Sequence, residues 1–223
     1  MSILVVAAHP DDEVLGCGGT IAREAGTHDV HLLILGEGAS ARHESRRSSR
    51  NERAGLERDA RGAAKLLGAS SIQFERLPDN RFDAIPLLDI VKRIEREVKR
   101  LKPRVIYTHH PGDLNIDHVR TARAVMTATR PMNGCPVKEL YAFEVPSSTE
   151  WAFQRFEAFR PNEFRDISST LKTKVAAMER YRSERRAFPH PRSPEALEAS
   201  AKRWGSVVGV AYAEPFELIR ALR

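Results

Sequence analysis

The chain has 223 residues, 41% hydrophobic and 30% charged, and its 36 Lys+Arg against 30 Asp+Glu leave a net charge of +6. That length suits one α/β domain with a sizeable core, and the apolar fraction excludes wholesale disorder. No run of ~18 apolar residues is present to cross a membrane.

Residues 3–8 form a continuous apolar run, the pattern of a parallel strand covered on both faces. It has no basic segment before it and meets His9 and three acids at once, so it reads as a strand and not as a signal peptide. Residues 13–25 are predicted to be helical, with Gly16, Gly18 and Gly19 permitting close approach to neighbours. A second strand spans 30–35 and runs into Gly36-Glu37-Gly38, followed by a polar loop to about residue 49. A charged helix over 50–67 stops at Gly68. A third strand covers 71–74. Leu87, Val91, Ile94, Val98 and Leu101 are spaced 4, 3, 4, 3, an amphipathic helix with Pro86 at its start. A strand at 104–108, a helix at 119–129 and a strand at 140–144 follow. The last third holds a stretch rich in Pro, Ser and aromatics, a helix near 168–182 and an expected strand-then-helix tail. This alternation predicts a single domain over 1–223, doubly wound and Rossmann-like, with a mostly parallel sheet and helices on both faces.

The two cysteines, Cys17 and Cys135, cannot build a disulfide framework, so a reducing cytoplasmic setting is expected. The basic excess concentrates in seven arginines between Arg42 and Arg61 and five between Arg180 and Arg192. Both runs are interleaved with acids, the pattern of solvated helical faces. No nucleic-acid motif accompanies either, so no nucleic-acid partner is expected.

Ligands in open α/β sheets sit beyond the carboxyl ends of the strands. Strand 1 ends in His9-Pro10-Asp11-Asp12-Glu13, a histidine and three carboxylates crowded at one tip. The acids would suit a helix N-terminus for its dipole alone. They also oppose a pyrophosphate, which together with the misplaced glycines excludes a dinucleotide fingerprint. The strand at 104–108 ends similarly. Residues 109–118 carry three of the chain's eight histidines and the aspartates Asp113 and Asp117. Where these two strands flank the switch point, their loops face one crevice. Imidazoles plus a carboxylate with open positions suit catalytic Zn²⁺ and equally non-haem Fe²⁺.

Ala8-His9-Pro10-Asp11-Asp12-Glu13, a Gly-rich helix, and then Asn115-Ile116-Asp117-His118 resemble the PIG-L/LmbE-like de-N-acetylase family. Gly36-Glu37-Gly38, residues 147–151, 188–193 and 213–216 are similar to one bacterial branch of it, so the likeness spans the whole chain. The resemblance implies a zinc hydrolase that removes an N-acetyl group from an N-acetylglucosamine-type conjugate through a zinc-activated water. By position it implies His9, Asp12 and His118 as metal ligands, with Zn²⁺ bound or Fe²⁺ as the alternative, and Asp11 as general base. A carboxylate tied to a metal is a poor proton acceptor, whereas its free neighbour can reach the attacking water. Asp117 is a candidate to orient a ligand histidine.

One position departs from the family. Many relatives place an oxyanion-stabilising histidine three residues before the last ligand, where this chain has Asn115. Either Asn115 donates neutrally, or His190, held between Pro189 and Pro191, replaces the histidine, with His110 as the next candidate. Asp79 matches a position that bonds sugar hydroxyls, and Arg53 is a candidate substrate contact. Trp151 reads as core in preference to a sugar-stacking lip. The implied partner is an amino-sugar-containing small molecule or glycoconjugate, and the sequence leaves a homo-oligomer open. The rival readings are hydrolysis of another amide or carbamoyl group on a sugar metabolite, and metal-dependent sugar binding without turnover.

Overall fold

The computed structural model describes residues 1–42, 46–132 and 134–223. Strand β1 (Ser2–Ala7) sends its side chains alternately into two different cores. Ile3, Val5 and Ala7 join one cluster with helices α1 (Asp12–Glu24), α2 (Arg46–Leu67), α5 (Leu171–Met178) and α6 (Pro194–Val208). Leu4, Val6 and Ala8 join the other, with α3 (Leu87–Leu101) and α4 (Ile116–Ala128). A strand apolar on both faces has to be central. Strands β2 (Asp29–Gly36), β3 (Ser71–Leu77), β4 (Val105–His109), β5 (Glu139–Phe143), β6 (Glu163–Asp166) and β7 (Ala213–Ala221) complete one sheet in the order β3-β2-β1-β4-β5-β7-β6.

The first five strands are parallel to their neighbours, while β7 pairs antiparallel with β5 and β6. The expected doubly wound, mostly parallel sheet with helices on both faces is therefore present. β1 and β4 lie side by side and their chains depart to neighbours on opposite sides, so the loops that leave them share one crevice.

Two expectations are corrected. Helix α2 starts at Arg46, ahead of the predicted 50, and part of the preceding loop, residues 43–45, lies outside the described residues. The tail is helix then strand. Ser193 Oγ accepts from the Ala196 N–H at 3.1 Å, Pro194 opens α6 and Gly209 closes it at φ 79°. These are ordinary start and stop signals. β7 then enters the sheet as its antiparallel member, which a strict strand-helix rhythm does not anticipate. Among the described residues no helix is long and apolar enough to cross a membrane.

Helix α1 leaves β1 with a kink at Cys17 (φ −145°). A Cβ on Gly16 would stand 2.2 Å from the Phe143 ring, so only glycine lets α1 lie this close to β5. The kink frees backbone N–H groups, and buried Glu214 of β7 takes those of Gly19 (2.9 Å) and Thr20 (2.7 Å). Lys174 of α5 closes the charge, with Nζ 2.6 Å from Glu214 and 2.8 Å from the Leu15 carbonyl. Removing one member of such a pair leaves a buried charge uncompensated. Lys174→Met is therefore expected to lower unfolding free energy by about 3–5 kcal/mol, read from urea melts.

Candidate active site

The turn from β1 into α1 places three carboxylates by backbone geometry. Asp11 adopts φ 106°, a left-handed conformation that costs a non-glycine residue about 1–3 kcal/mol. Its N–H donates to Glu13 Oε2 at 3.1 Å, and Glu13 in turn accepts from the Tyr181 hydroxyl. The Asp11 side chain makes no capping bond to α1 and meets Arg192 Nη1 at 2.8 Å instead. Burial pushes the Asp11 carboxyl up to about 8, with Asp12, Glu184 and Glu13 adding to the rise and Arg192 opposing it. Asp11→Gly removes both the strained backbone and the buried carboxylate. It is expected to raise stability by about 1 kcal/mol, visible as a higher Tm, while turnover disappears.

Asp12 Oδ2 accepts from the His9 N–H at 2.8 Å and lies 3.3 Å from both His9 Nδ1 and His118 Nε2. One atom from each of these three side chains falls within 4.8 Å of the others. Each imidazole presents its second nitrogen to a further carboxylate. His9 Nε2 is 2.9 Å from Asp117 Oδ2, and His118 Nδ1 is 3.1 Å from Asp113 Oδ1. Asp117 is itself fixed by the N–H groups of Asn80 (2.7 Å) and Phe82 (2.9 Å). Asp113 accepts from Ser148 Oγ, from Thr149 Oγ1 at 2.6 Å and from the Asn115 N–H at 2.8 Å.

Burial disfavours both imidazolium ions, yet the surrounding carboxylates outweigh it. His9 is raised to about 10, chiefly by Asp117 and Asp12, and His118 to about 9, by Asp12 and Asp113. Asp12 is held well below its ordinary value despite burial, mainly by His118. The cluster thus gathers positive charge around one carboxylate oxygen, the environment a divalent cation satisfies in place of protons. Two nitrogens and one oxygen, each imidazole backed by a carboxylate, fit Zn²⁺ or Fe²⁺. A second trio, His9, Asp79 and Asp117, is close enough to hold an ion. It would use the His9 nitrogen already bonded to Asp117, whose oxygens are occupied by backbone donors, so the first trio is the better site.

The three candidate ligands sit in a cavity of about 110 Å³ whose wall includes Asp11, Asp79, Asn115, Ser147, Glu184 and Arg192. Asn115 caps α4. Its Oδ1 accepts from the Asp117 N–H at 2.8 Å and its Nδ2 donates to Asn80 Oδ1 at 3.2 Å. Asp79 is buried, with Oδ1 3.3 Å from His9 Nε2. Arg53 lies outside the cavity wall, 3.7 Å from Glu37.

His190 also lies outside that wall. Its Nδ1 accepts from the Arg192 N–H at 3.1 Å, and its pKa is lowered by burial, then by Arg192 and Arg186. His110 is held on both sides, by Glu217 at 2.7 Å and the Glu157 carbonyl at 2.8 Å. His109 stacks on His118 at 4.1 Å and its Nε2 accepts from the Ala8 N–H at 2.8 Å, which leaves that nitrogen no lone pair for a metal.

Trp151 corrects the expectation of a core residue. It is 40% exposed and meets the His190 ring edge-on at 5.6 Å. The Ser/Thr-x-x-Glu pattern beside it does cap locally, since the Ser147 N–H donates to Glu150 Oε1 at 2.6 Å. Sequence reasoning missed Glu184, named Asp113 in the loop cluster without giving it a role, weighed residues 147–151 only as a possible lip, and gave Arg192 no place in the cavity. The position of Asp113, five residues before His118 in the same loop, was the signal for its role behind that histidine.

The model of the family described as PIG-L, GlcNAc-PI de-N-acetylase, matches residues 4–129. YaiS, an uncharacterized deacetylase of Escherichia coli (strain K12), is 28% identical over 195 residues, covering 81% of this chain and 90% of that protein. N,N'-diacetylchitobiose deacetylase from Pyrococcus horikoshii shares the fold, with a TM-score of 0.79 at 19% identity over 98% of this chain and 84% of that one. GalB, the 4-carboxy-2-hydroxymuconate hydratase of Pseudomonas putida KT2440, superposes with a TM-score of 0.76 at 25% identity, over 100% and 97% of the two chains.

Proposed function

The chain belongs to the PIG-L family of GlcNAc-PI de-N-acetylases, and on that footing we propose that it hydrolyses the N-acetyl group of an N-acetylglucosamine-type amino-sugar conjugate. The observation that carries this reading is the placement of Asp11. Its carboxylate is turned by φ 106° into the cavity, beside an Asp12 oxygen equidistant from His9 and His118.

His9, Asp12 and His118 would hold a divalent cation, Zn²⁺ with Fe²⁺ as the alternative. When bound it supplies Lewis acidity and brings the pKa of water towards 7. Asp11 takes a proton from the attacking water as its oxygen bonds to the acetyl carbon. Arg192, 2.8 Å from Asp11, keeps that carboxylate aimed into the cavity. Asn115 lies on the cavity wall with its Oδ1 committed to the Asp117 N–H and one amide hydrogen donated to Asn80 Oδ1, which leaves its second amide hydrogen for the substrate. It donates to the developing oxyanion, a contact whose loss in acyl-transfer enzymes costs about 3–4 kcal/mol. The C–N bond then breaks, and the proton on Asp11 passes to the leaving amine, giving acetate and the free amino sugar. Asp79 accepts from sugar hydroxyls, with Arg53 reaching the substrate from α2. Asp117 and Asp113 fix the planes of His9 and His118. The reaction runs in the cytoplasm on a soluble or conjugated amino sugar.

Mass spectrometry of a panel of N-acetylglucosamine conjugates incubated with zinc-loaded protein tests the reading. The expected product has lost one acetyl group with acetate released. Addition of water without release of acetate would place the chain with hydratase chemistry instead. Binding without any product would make it a sugar-binding protein, and release of another acyl or carbamoyl group would change the substrate class.

Asn115 and His190 are separated by a paired substitution. Asn115→Ala is expected to depress kcat by on the order of 10²-fold with metal content unchanged, whereas His190→Ala acts weakly. A collapsed kcat for His190→Ala beside a near-normal one for Asn115→Ala transfers the role to His190.

A further inference from the structure

A histidine that the proposed reaction does not use joins two loops beside the candidate metal centre. His110 follows β4, and its N–H donates to the Phe143 carbonyl of β5 at 3.0 Å. Its buried ring meets an oxygen at each nitrogen. Nδ1 lies 2.7 Å from Glu217 Oε2 on β7, and Nε2 lies 2.8 Å from the Glu157 carbonyl. Although partly buried, Glu217 is held below its ordinary pKa by His110 and by the Arg160 N–H on its other oxygen, so it is a carboxylate. Both neighbours of the ring therefore only accept. A neutral imidazole has one N–H and would turn a lone pair on the second oxygen, whereas the imidazolium donates to both.

The charged groups facing the ring are Glu217 and Glu157, with Arg160 beyond Glu217, and Phe159 packs against it edge-on at 5.4 Å. Burial opposes the cation, but Glu217 and the Glu157 carbonyl outweigh it and raise the His110 pKa above its ordinary value. Gly112 makes room for the contact, since a Cβ there would stand 1.9 Å from the Glu157 oxygen.

The ring restrains a strained segment. Residues 153–157 are exposed, and Phe153 and Gln154 are both left-handed, at φ 49° and 56°. Non-glycine residues keep that conformation only where their surroundings impose it. The backbone bonds within the segment are local, from the Phe153 N–H to Glu150 at 3.1 Å and from the Arg155 N–H to Ala152 at 2.9 Å. Its near end is tied through Ser148 and Thr149 to Asp113, and Ser147 and Ser148 line the cavity. Its far end is tied at Glu157 to His110. Both ties run to the one loop that follows β4.

We propose that His110 is a proton-operated latch, which as the imidazolium holds residues 150–157 against the loop after β4 and as the neutral imidazole releases their far end. The neutral ring keeps the N–H that faces the Glu217 carboxylate, and the Nε2 lone pair then opposes the Glu157 carbonyl. Phe153 and Gln154 can relax, while Ser148 and Thr149 stay on Asp113. The segment thus opens from its far end, and the wall beside the metal centre stays in place. Because the closed form favours the bound proton, the latch is shut below the raised pKa and opens as pH rises through it. This holds whatever reaction the centre catalyses.

Two measurements on the whole chain test the latch. Long-range proton–nitrogen correlation spectra should show both His110 ring nitrogens protonated at about pH 6, with a titration midpoint above that of an unperturbed histidine. Trypsin cleavage after Arg155 reports the open population. Normalised to a small trypsin substrate, it should rise by about tenfold or more from about pH 6 to about pH 9. His110→Gln has one donor nitrogen for two acceptors and should be cut at the fast rate throughout. Glu217→Gln removes the facing charge and should lower the spectroscopic and cleavage midpoints together, which keeps the test decisive if His110→Gln does not fold. A neutral His110 at about pH 6, a flat wild-type cleavage profile, a rise with pH that His110→Gln retains, or midpoints that Glu217→Gln leaves unmoved would each overturn the proposal.

Discussion

Asp11→Asn is expected to leave metal content at the wild-type level and to lower turnover by about 10²–10⁴-fold, the range for loss of a general base. Asparagine tolerates the left-handed backbone that Asp11 occupies at φ 106°, so the turn should survive the change. It also keeps an oxygen for Arg192 Nη1. What is lost is a carboxylate able to accept a proton. The comparison is Asp12→Asn, which takes charge from the oxygen that lies 3.3 Å from both His9 and His118. That variant should lose metal and turnover together. Metal analysis beside acetate release on one substrate distinguishes the two aspartates. Loss of metal from Asp11→Asn, with Asp12→Asn retaining it, would exchange their roles.

His9→Ala and His118→Ala should each abolish metal uptake, and activity with it, leaving a folded protein. The fold survives because the groups behind each ring have other partners. Asp117 retains the N–H groups of Asn80 and Phe82, and Asp113 retains Ser148, Thr149 and the Asn115 N–H. Circular dichroism should therefore stay native while bound metal falls to background. Asp117→Asn, which only loosens the orientation of His9, should weaken metal affinity by roughly 10–100-fold instead of abolishing it. Full metal content in both histidine variants would mean that the ligands lie elsewhere.

The apolar run at 3–8, the amphipathic spacing from Leu87 to Leu101 and the strand-helix rhythm dictate a parallel sheet covered on both faces, because burial patterns of period 2 and 3.6 are local properties of the chain. The same rhythm places His9-Pro10-Asp11-Asp12-Glu13 and His109 to His118 at strand tips. The His and Asp types there already point to a metal, since that density of charge is costly without one. The C-terminal third followed no such period, and β7 joined the sheet by antiparallel pairing that only partner strands can specify.

Tertiary structure decided what long-range contacts decide. It brought Arg192 across 181 residues to Asp11, set Asp113 behind His118, and fixed His110 between Glu217 and Glu157. It turned Trp151 outward onto His190, although an aromatic beside a capping pattern looks like core. Side-chain identity and spacing carry the first kind of information, because periodicity and ligand chemistry act within one element and its loop. Which carboxylate backs which imidazole, and which ring faces solvent, depends on where distant elements come to rest.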